Sequence, residues 1–240
     1  MTVHLVGAGP GDPQLLTRRG AALLAGARHV VYDRPSMAEI LALAPGASLH
    51  CVGKQGSDPA PPQEAVNALL VELGRSGECV VRLKSGDPFV VSRGGEEAMA
   101  LSRAGVQVDV VPGVSAAVAA PAAGGIPVTV RQVARTLTVV AGNEGVDEVD
   151  WDAVARLGGT IVLLTGRAVL RRVIAALRAG GLPGDTPVAV ISAATRRHQR
   201  TVRGTLAEPP PARLPSPMTI VIGEVAGLDV TGYGVSCAHP

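Results

Sequence analysis

Two glycine-rich turns, each following a short apolar run, constrain this chain more than any other feature. Gly7-Ala8-Gly9-Pro10-Gly11-Asp12-Pro13 follows Val3–Val6, and Arg82-Leu83-Lys84-Ser85-Gly86-Asp87-Pro88-Phe89 continues into Arg93-Gly94-Gly95-Glu96-Glu97. Both read as the end of a buried strand opening into a binding loop. Glycine takes positive φ and lets the backbone approach a ligand, and a following helix start offers unpaired N–H groups. Neither turn fits the commonest nucleotide patterns. Asp12 stands where G-x-G-x-x-G needs its third glycine, and no Gly-Lys-Ser/Thr follows either turn.

Around these turns the first half alternates strands and helices. Val3–Val6, Arg28–Tyr32, Ser48–Val52, Cys79–Leu83 and Val106–Val111 read as short buried strands, with helical patterns such as Leu15–Ala25 and Glu64–Leu73 between them. Asp12 followed by Pro13 reads as a helix cap and first helical position. A second alternating set has strand candidates at Thr136–Val140, Thr160–Leu164, Pro187–Ile191, Thr201–Thr205 and Thr219–Ile222. The Pro- and Gly-rich segment from Pro112 to Gly125 marks a junction. The organisation is therefore read as an N-terminal α/β domain over 1–113, a second over 114–232, and a tail over 233–240.

Composition removes several functional classes. Lys+Arg 22 against Asp+Glu 20 leaves a formal charge of +2, so no global field calls for nucleic acid or an anionic membrane. Aromatic residues make up 2% of the chain, too few for base-stacking platforms. Cys51, Cys79 and Cys237 are odd in number and lack metal-ligand spacing, which argues against a disulfide framework or structural zinc and favours a reducing cytoplasm. The N-terminal apolar run lacks a basic stretch before it and is broken by Gly7, so it reads as a strand and not a signal peptide. Val110–Val130 is uncharged and long enough for a bilayer, but Pro112, Pro121 and Pro127 interrupt it, so a loop and a buried helix are expected.

The polar residues recur at one place in the pattern. Asp12 follows the first strand, Asp33 and Arg34 the second, Lys54 the third, Lys84 and Asp87 the fourth, and Ser115 the fifth. In a parallel sheet, residues beyond neighbouring carboxyl ends converge on one crevice. Singly, each has a plainer role: Asp33 as a turn residue before Pro35 or a ribose partner, Lys54 as a solvated charge, Asp87 as a turn starter.

Taken in order, the glycine turns, Leu15-Leu16-Thr17, Tyr32-Asp33-Arg34, Val52-Gly53-Lys54, Pro62-Gln63-Glu64, Val81-Arg82-Leu83-Lys84, Pro112-Gly113-Val114 and Gly125-Ile126-Pro127-Val128-Thr129 resemble the ordered motifs of the tetrapyrrole methyltransferases, and within them the uroporphyrinogen-III C-methyltransferases. The resemblance implies two α/β domains with S-adenosylmethionine in a cleft between them, no metal, and a homodimer. It implies transfer of two methyl groups to uroporphyrinogen III, giving precorrin-2 for sirohaem and cobalamin synthesis, with S-adenosylhomocysteine released. By matched motif, Pro10, Ser85, Gly86, Asp87, Val90, Ser115, Ala116, Thr165 and Ala194 fall to the cofactor. Asp33 falls to a proton acceptor and Lys54 to a proton donor. The alternatives are another precorrin C-methyltransferase, a nicotinamide-dependent oxidoreductase and a non-catalytic effector-binding protein.

A sulfonium methyl donor is already activated, so alignment is the main demand and no covalent nucleophile is needed. The acidic arms of a tetrapyrrole call for cations at fixed positions, and Arg18, Arg19, Arg34, Arg131 and Arg135 are candidates, with a solvated helix face as the plainer role for Arg18 and Arg19. The chain departs from the family pattern at Ser85 and Ser92, where glycines are usual, and at Thr129-Val130-Arg131-Gln132, where the family carries Thr-His-Arg-Asp. Thr165 and Ala194 replace a methionine and a glycine.

Overall fold

The computed structural model of the protein describes residues 2–34, 37–54, 60–142, 145–211 and 214–230. Pro35, Cys237 and the tail from residue 233 lie outside the described residues. The chain divides into two units, Met1–Ser115 and Ala116–Pro240.

In the first unit, strands β1 (Thr2–Gly7), β2 (His29–Tyr32), β3 (Ser48–Cys51), β4 (Val80–Lys84) and β5 (Gln107–Val111) form a five-stranded sheet in the order β3-β2-β4-β1-β5. Every pairing is parallel, so all the carboxyl ends open on one edge. Side chains alternate between two cores, as the strand period requires. Val6, Val30, Val81 and Leu83 pack with Leu24 of α1 (Arg18–Ala25) and Ile40 of α2 (Ala38–Leu41). Val3, Leu5, Val31 and Val80 pack with Val66 and Leu70 of α3 (Gln63–Arg75) and Leu101 of α4 (Gly94–Arg103).

The expected helix over Leu15–Ala25 is two pieces. The Asp12 carboxylate accepts from the Gln14 N–H at 2.8 Å and caps a single 3-10 turn, Pro13–Leu15. The chain is extended at Leu16 and restarts at Thr17, whose hydroxyl accepts from the Gly20 N–H at 3.1 Å to cap α1. Two caps five residues apart explain the break, because each satisfies the orphan donors of its own turn.

The second unit contains α5 (Ala116–Ala123), β6 (Leu137–Ala141), α6 (Trp151–Leu157), β7 (Thr160–Leu164), α7 (Leu170–Ala179), β8 (Pro187–Ser192), β9 (Arg200–Thr205) and β10 (Met218–Ile222). Its sheet runs β6-β7-β10-β8-β9 and is mixed: β6 and β7 are parallel, while β10 runs antiparallel to β7 and β8, and β9 antiparallel to β8. The expected alternation stops at α7. Between β8 and β9 the chain has too few residues for a crossover helix, and an antiparallel pair needs only a short connection. The uncharged Val110–Val130 stretch becomes the end of β5, a loop, and α5, which packs on β7 and β10 with Ala117, Ala119, Ala120 and Pro121 buried. Among the described residues no helix is long and apolar enough to cross a membrane.

The start of α4 shows how tightly backbone is packed near the strand ends. A Cβ on Gly94 would lie 2.0 Å from the Pro88 carbonyl oxygen, whereas one on the adjacent Gly95 would meet nothing within 4 Å. Gly94→Ala is expected to destabilise the protein by about 1–3 kcal/mol through overpacking. Gly95→Ala is expected to stabilise it by about 0.5 kcal/mol, by restricting the unfolded chain. Urea unfolding measures both, and equal midpoints for the two variants would refute the close approach at Gly94.

Candidate active site

Three strand ends meet through glycines. A Cβ on Gly7 would lie 2.5 Å from the Gly113 backbone and 2.6 Å from the Gly86 carbonyl oxygen, and one on Gly113 would lie 2.3 Å from that same oxygen. The carboxyl ends of β1, β4 and β5 are thereby drawn together with no side chain between them. Gly9 and Gly86 exchange backbone hydrogen bonds at 3.1 and 2.8 Å, tying the Pro10 turn to the Ser85–Val90 loop. Asp87 completes the junction: one carboxylate oxygen accepts from Phe89 N–H at 2.8 Å and the other from Gly113 N–H at 3.1 Å. Its role in this structure is to hold two loops in register. Ser92, one of the departures from the family pattern, directs its hydroxyl to the Pro88 carbonyl and closes the same loop.

Asp33 lies one residue beyond β2, with its side chain 31% exposed. Arg82 Nη2 donates to Asp33 Oδ1 at 2.5 Å, and Oδ2 takes no hydrogen bond among the described residues. Arg82 is itself buried on β4. Its Nε and Nη2 donate to Glu97 Oε1 at 3.1 and 2.9 Å, and its Nη1 reaches the Val31 and Leu83 carbonyls at 3.4 Å. Lys84 Nζ donates to both oxygens of Glu97 at 2.8 Å. Burial works against the charge on Arg82, but Asp33 and then Glu97 outweigh it and hold the guanidinium above its ordinary value. The balance at Lys84 goes the other way: burial, and then Arg82 beside it, push the ammonium below its ordinary value despite Glu97 and Asp33.

Lys84 was expected beyond the fourth strand, facing the crevice. It is instead the last residue of β4, buried, and bound to Glu97. Arg82 and Glu97 were not among the expected site residues at all. The available signal was the pattern itself: residues 82 and 84 share one face of a strand that is otherwise valine and leucine, and buried cations require a buried carboxylate.

Lys54 is exposed, and its turn lies directly against Asp33 because Gly53 has no side chain; a Cβ there would sit 1.5 Å from the Asp33 carbonyl oxygen. Arg18 and Arg34 are exposed. Arg19 is committed elsewhere, with its guanidinium on both oxygens of Asp109 at 2.9 and 2.8 Å beside His4, away from the strand ends.

In the second unit β7 and β8 both run antiparallel to β10, so their carboxyl ends share an edge. Thr165 follows β7 and Ala194 follows β8 at that edge. Ala116 opens α5, and Ser115 closes the first unit. Arg131 lies with Thr129, Val130, Gln132, Ala134 and Arg135 around an open pocket of about 650 Å³.

Backbone strain coincides with these positions. Among the described residues, the non-glycine residues at positive φ are Val91, Arg93, Gln132, Thr165, Ala193 and Thr195. Two follow the Ser85–Val90 loop, one follows Arg131, one is Thr165, and two bracket Ala194. Three are β-branched, for which this conformation is a genuine outlier. Such strain persists only where its surroundings impose it, and it clusters at binding and catalytic sites.

The sequence model of the tetrapyrrole (corrin/porphyrin) methylases matches residues 2–210. An S-adenosyl-L-methionine-dependent uroporphyrinogen III methyltransferase of Methanosarcina barkeri is 40% identical over 240 residues, covering 96% of this chain and 94% of that protein. Siroheme synthase 1 of Yersinia enterocolitica is 44% identical over 232 residues, or 94% of this chain, but this chain spans only 49% of that longer protein. A crystal structure of uroporphyrin III C-methyltransferase from Thermus thermophilus superposes with a TM-score of 0.81 at 38% identity, covering 94% of this chain and 98% of that one. The same Thermus enzyme complexed with S-adenosylhomocysteine superposes at 0.80. A family match over residues 2–210, together with 40% identity to a relative covered over 94% of its length, means that the chain belongs to the tetrapyrrole methylase family.

Proposed function

We propose that this protein is an S-adenosylmethionine-dependent uroporphyrinogen-III C-methyltransferase that methylates two pyrrole carbons to give precorrin-2. The observation that carries the reading is Asp33: a carboxylate beyond a parallel-sheet carboxyl end, fixed through one oxygen and, among the described residues, without a hydrogen bond at the other. The names of the Methanosarcina and Thermus relatives support the substrate. The siroheme synthases support the sirohaem route, although this chain corresponds to only half of their length.

The residues fit the cofactor on structural grounds. Gly7, Gly86 and Gly113 pack the strand ends backbone to backbone and so hold the Pro10 turn against the Ser85–Val90 loop, and the strained loops bearing Val91, Thr165 and Ala193 are ones the family resemblance assigns to the cofactor. When bound, S-adenosylmethionine supplies a methyl group activated by its sulfonium. The protein's part is to align a pyrrole carbon with that methyl and to manage the charge and proton of the alkylated ring. Asp33 Oδ2 accepts the ring proton or stabilises the positive charge, and Lys54 positions or protonates the substrate. Asp87 shapes the cofactor loop through its two backbone hydrogen bonds. Arg34 in the first unit and Arg131 in the second each bind substrate carboxylates, with Arg18 secondary and Arg19 weakened by its pairing to Asp109. The same reading has the enzyme acting as a homodimer in the cytoplasm, where the odd, unspaced cysteines fit a reducing compartment.

Calorimetry is expected to show S-adenosylhomocysteine binding, while a nicotinamide dinucleotide gives no heat; the reverse would remove the assignment. In steady-state assays with uroporphyrinogen III, Asp33→Ala is expected to lower turnover by about 10²-fold or more with S-adenosylhomocysteine affinity little changed. Wild-type turnover in that variant would reduce Asp33 to a turn residue.

Arg131→Ala is expected to raise the substrate KM or scramble the methylation positions without weakening S-adenosylhomocysteine binding. Val130→His with Gln132→Asp restores the family run beside it and tests whether the departure alters specificity. Normal kinetics and a normal product pattern in Arg131→Ala would place the carboxylate-binding residues elsewhere.

A further inference from the structure

We propose that Glu97 is a positioning residue for methyl transfer, acting through Arg82 to aim the Asp33 carboxylate. The proposal rests on the reading of Asp33 given above and deepens it.

The geometry runs inward from the reacting group. Asp33 sits past the end of β2 and is partly exposed, so its carboxylate would sample several rotamers unless a partner fixed it. That partner is one N–H of Arg82 Nη2. Where this N–H points depends on the plane of the guanidinium, and Glu97 sets that plane by accepting from both Nε and Nη2 on its Oε1. Glu97 is itself held, with Lys84 Nζ bridging its two oxygens and Gln63 Nε2 reaching Oε1 at 3.5 Å. Glu97, Arg82 and Lys84 are all buried, so water does not substitute for a missing link. The two cations are two residues apart on one strand face, and Glu97 is the carboxylate that lets them stand side by side.

Glu97→Gln keeps the shape, removes the charge, and turns an amide donor toward donors that need an acceptor. In the uroporphyrinogen III assay it is expected to lower kcat by about 10-fold or more, towards the roughly 10²-fold cost of a small misplacement. S-adenosylhomocysteine affinity, read by calorimetry, should stay within about twofold of wild type. The deciding measurement is the double variant: combined with Asp33→Ala, Glu97→Gln should add nothing, because its effect passes through the missing carboxylate. Glu97→Asp, which keeps the charge on a shorter arm, should restore part of kcat.

A multiplicative loss in the double variant, an unchanged kcat in Glu97→Gln, or a fall in S-adenosylhomocysteine affinity matching the fall in kcat would overturn the proposal in favour of a purely structural ion cluster. Should Glu97→Gln fail to fold, Arg82→Lys carries the same cycle, since an ammonium keeps the charge but loses the planar fork that spans both carboxylates. Failure of the underlying reading has a different signature: Asp33→Ala alone would turn over normally. A slow Asp33→Ala beside a normal Glu97→Gln removes only the role of Glu97.

Discussion

On the proposed reading, the pairing of Arg82 with Glu97 is the interaction on which the first unit's chemistry depends, and it stands where a parallel sheet ordinarily buries aliphatic side chains. β4 lies between β2 and β1, with helices packed on the face that carries residues 80, 82 and 84. Breaking a buried ion pair costs about 3–5 kcal/mol, whereas replacing a whole one with well-packed apolar groups is often neutral or stabilising. Stability alone therefore gives no reason to keep four charged groups here. Direction does: a guanidinium held by one carboxylate can aim at a second, and an aliphatic core cannot.

The backbone around this cluster follows the same logic of enforced geometry. Gly7 and Gly113 approach each other and the Gly86 carbonyl too closely for a Cβ on either, and Gly53 carries the third strand's turn against the Asp33 carbonyl. These contacts close the strand ends backbone to backbone and bring the turn that carries Lys54 against Asp33. The strained residues show the same constraint in a less permissive form. Val91, Thr165 and Thr195 hold conformations that their β-branched side chains resist, so the surrounding packing must impose them. On the proposed reading, that packing cost is the structural trace of a pre-shaped cofactor site.

The strands were legible in the sequence because short apolar runs bounded by glycine and proline carry their own signal; Thr160–Leu164 was read with the bounds the structure shows. The glycine turns were legible for the same reason. The break at Leu16 was not, since Asp12 and Thr17 are both good caps and periodicity alone does not say that both are used. The antiparallel half of the second sheet was also hidden, because strand direction is set by long-range pairing that a local pattern does not encode. Asp33 stood out through its place after β2. Arg82 and Glu97 did not, and Lys84 stood out for the wrong place, because a cation at a strand end reads as a loop charge until the helix carrying its partner is folded against it.

Two of the departures from the family pattern differ in physical kind. Ser92 is absorbed locally: its hydroxyl bonds the Pro88 carbonyl, the same group that excludes a side chain at Gly94, so the loop is closed by a hydrogen bond as well as by contact. The change at Val130 and Gln132 is different. Backbone bonds between Val130 and Ala134 fix a tight turn, and Gln132 sits in it at φ +69°, a conformation that aspartate, the family's residue there, tolerates better than glutamine. Gln132 holds this turn at some cost, while the side chains around the Arg131 pocket differ from the family run. On the proposed reading, a difference in how the substrate is oriented is therefore to be sought at that turn, where the side chains around the Arg131 pocket differ from the family run, and not at Ser92, whose hydroxyl is taken up by its own loop.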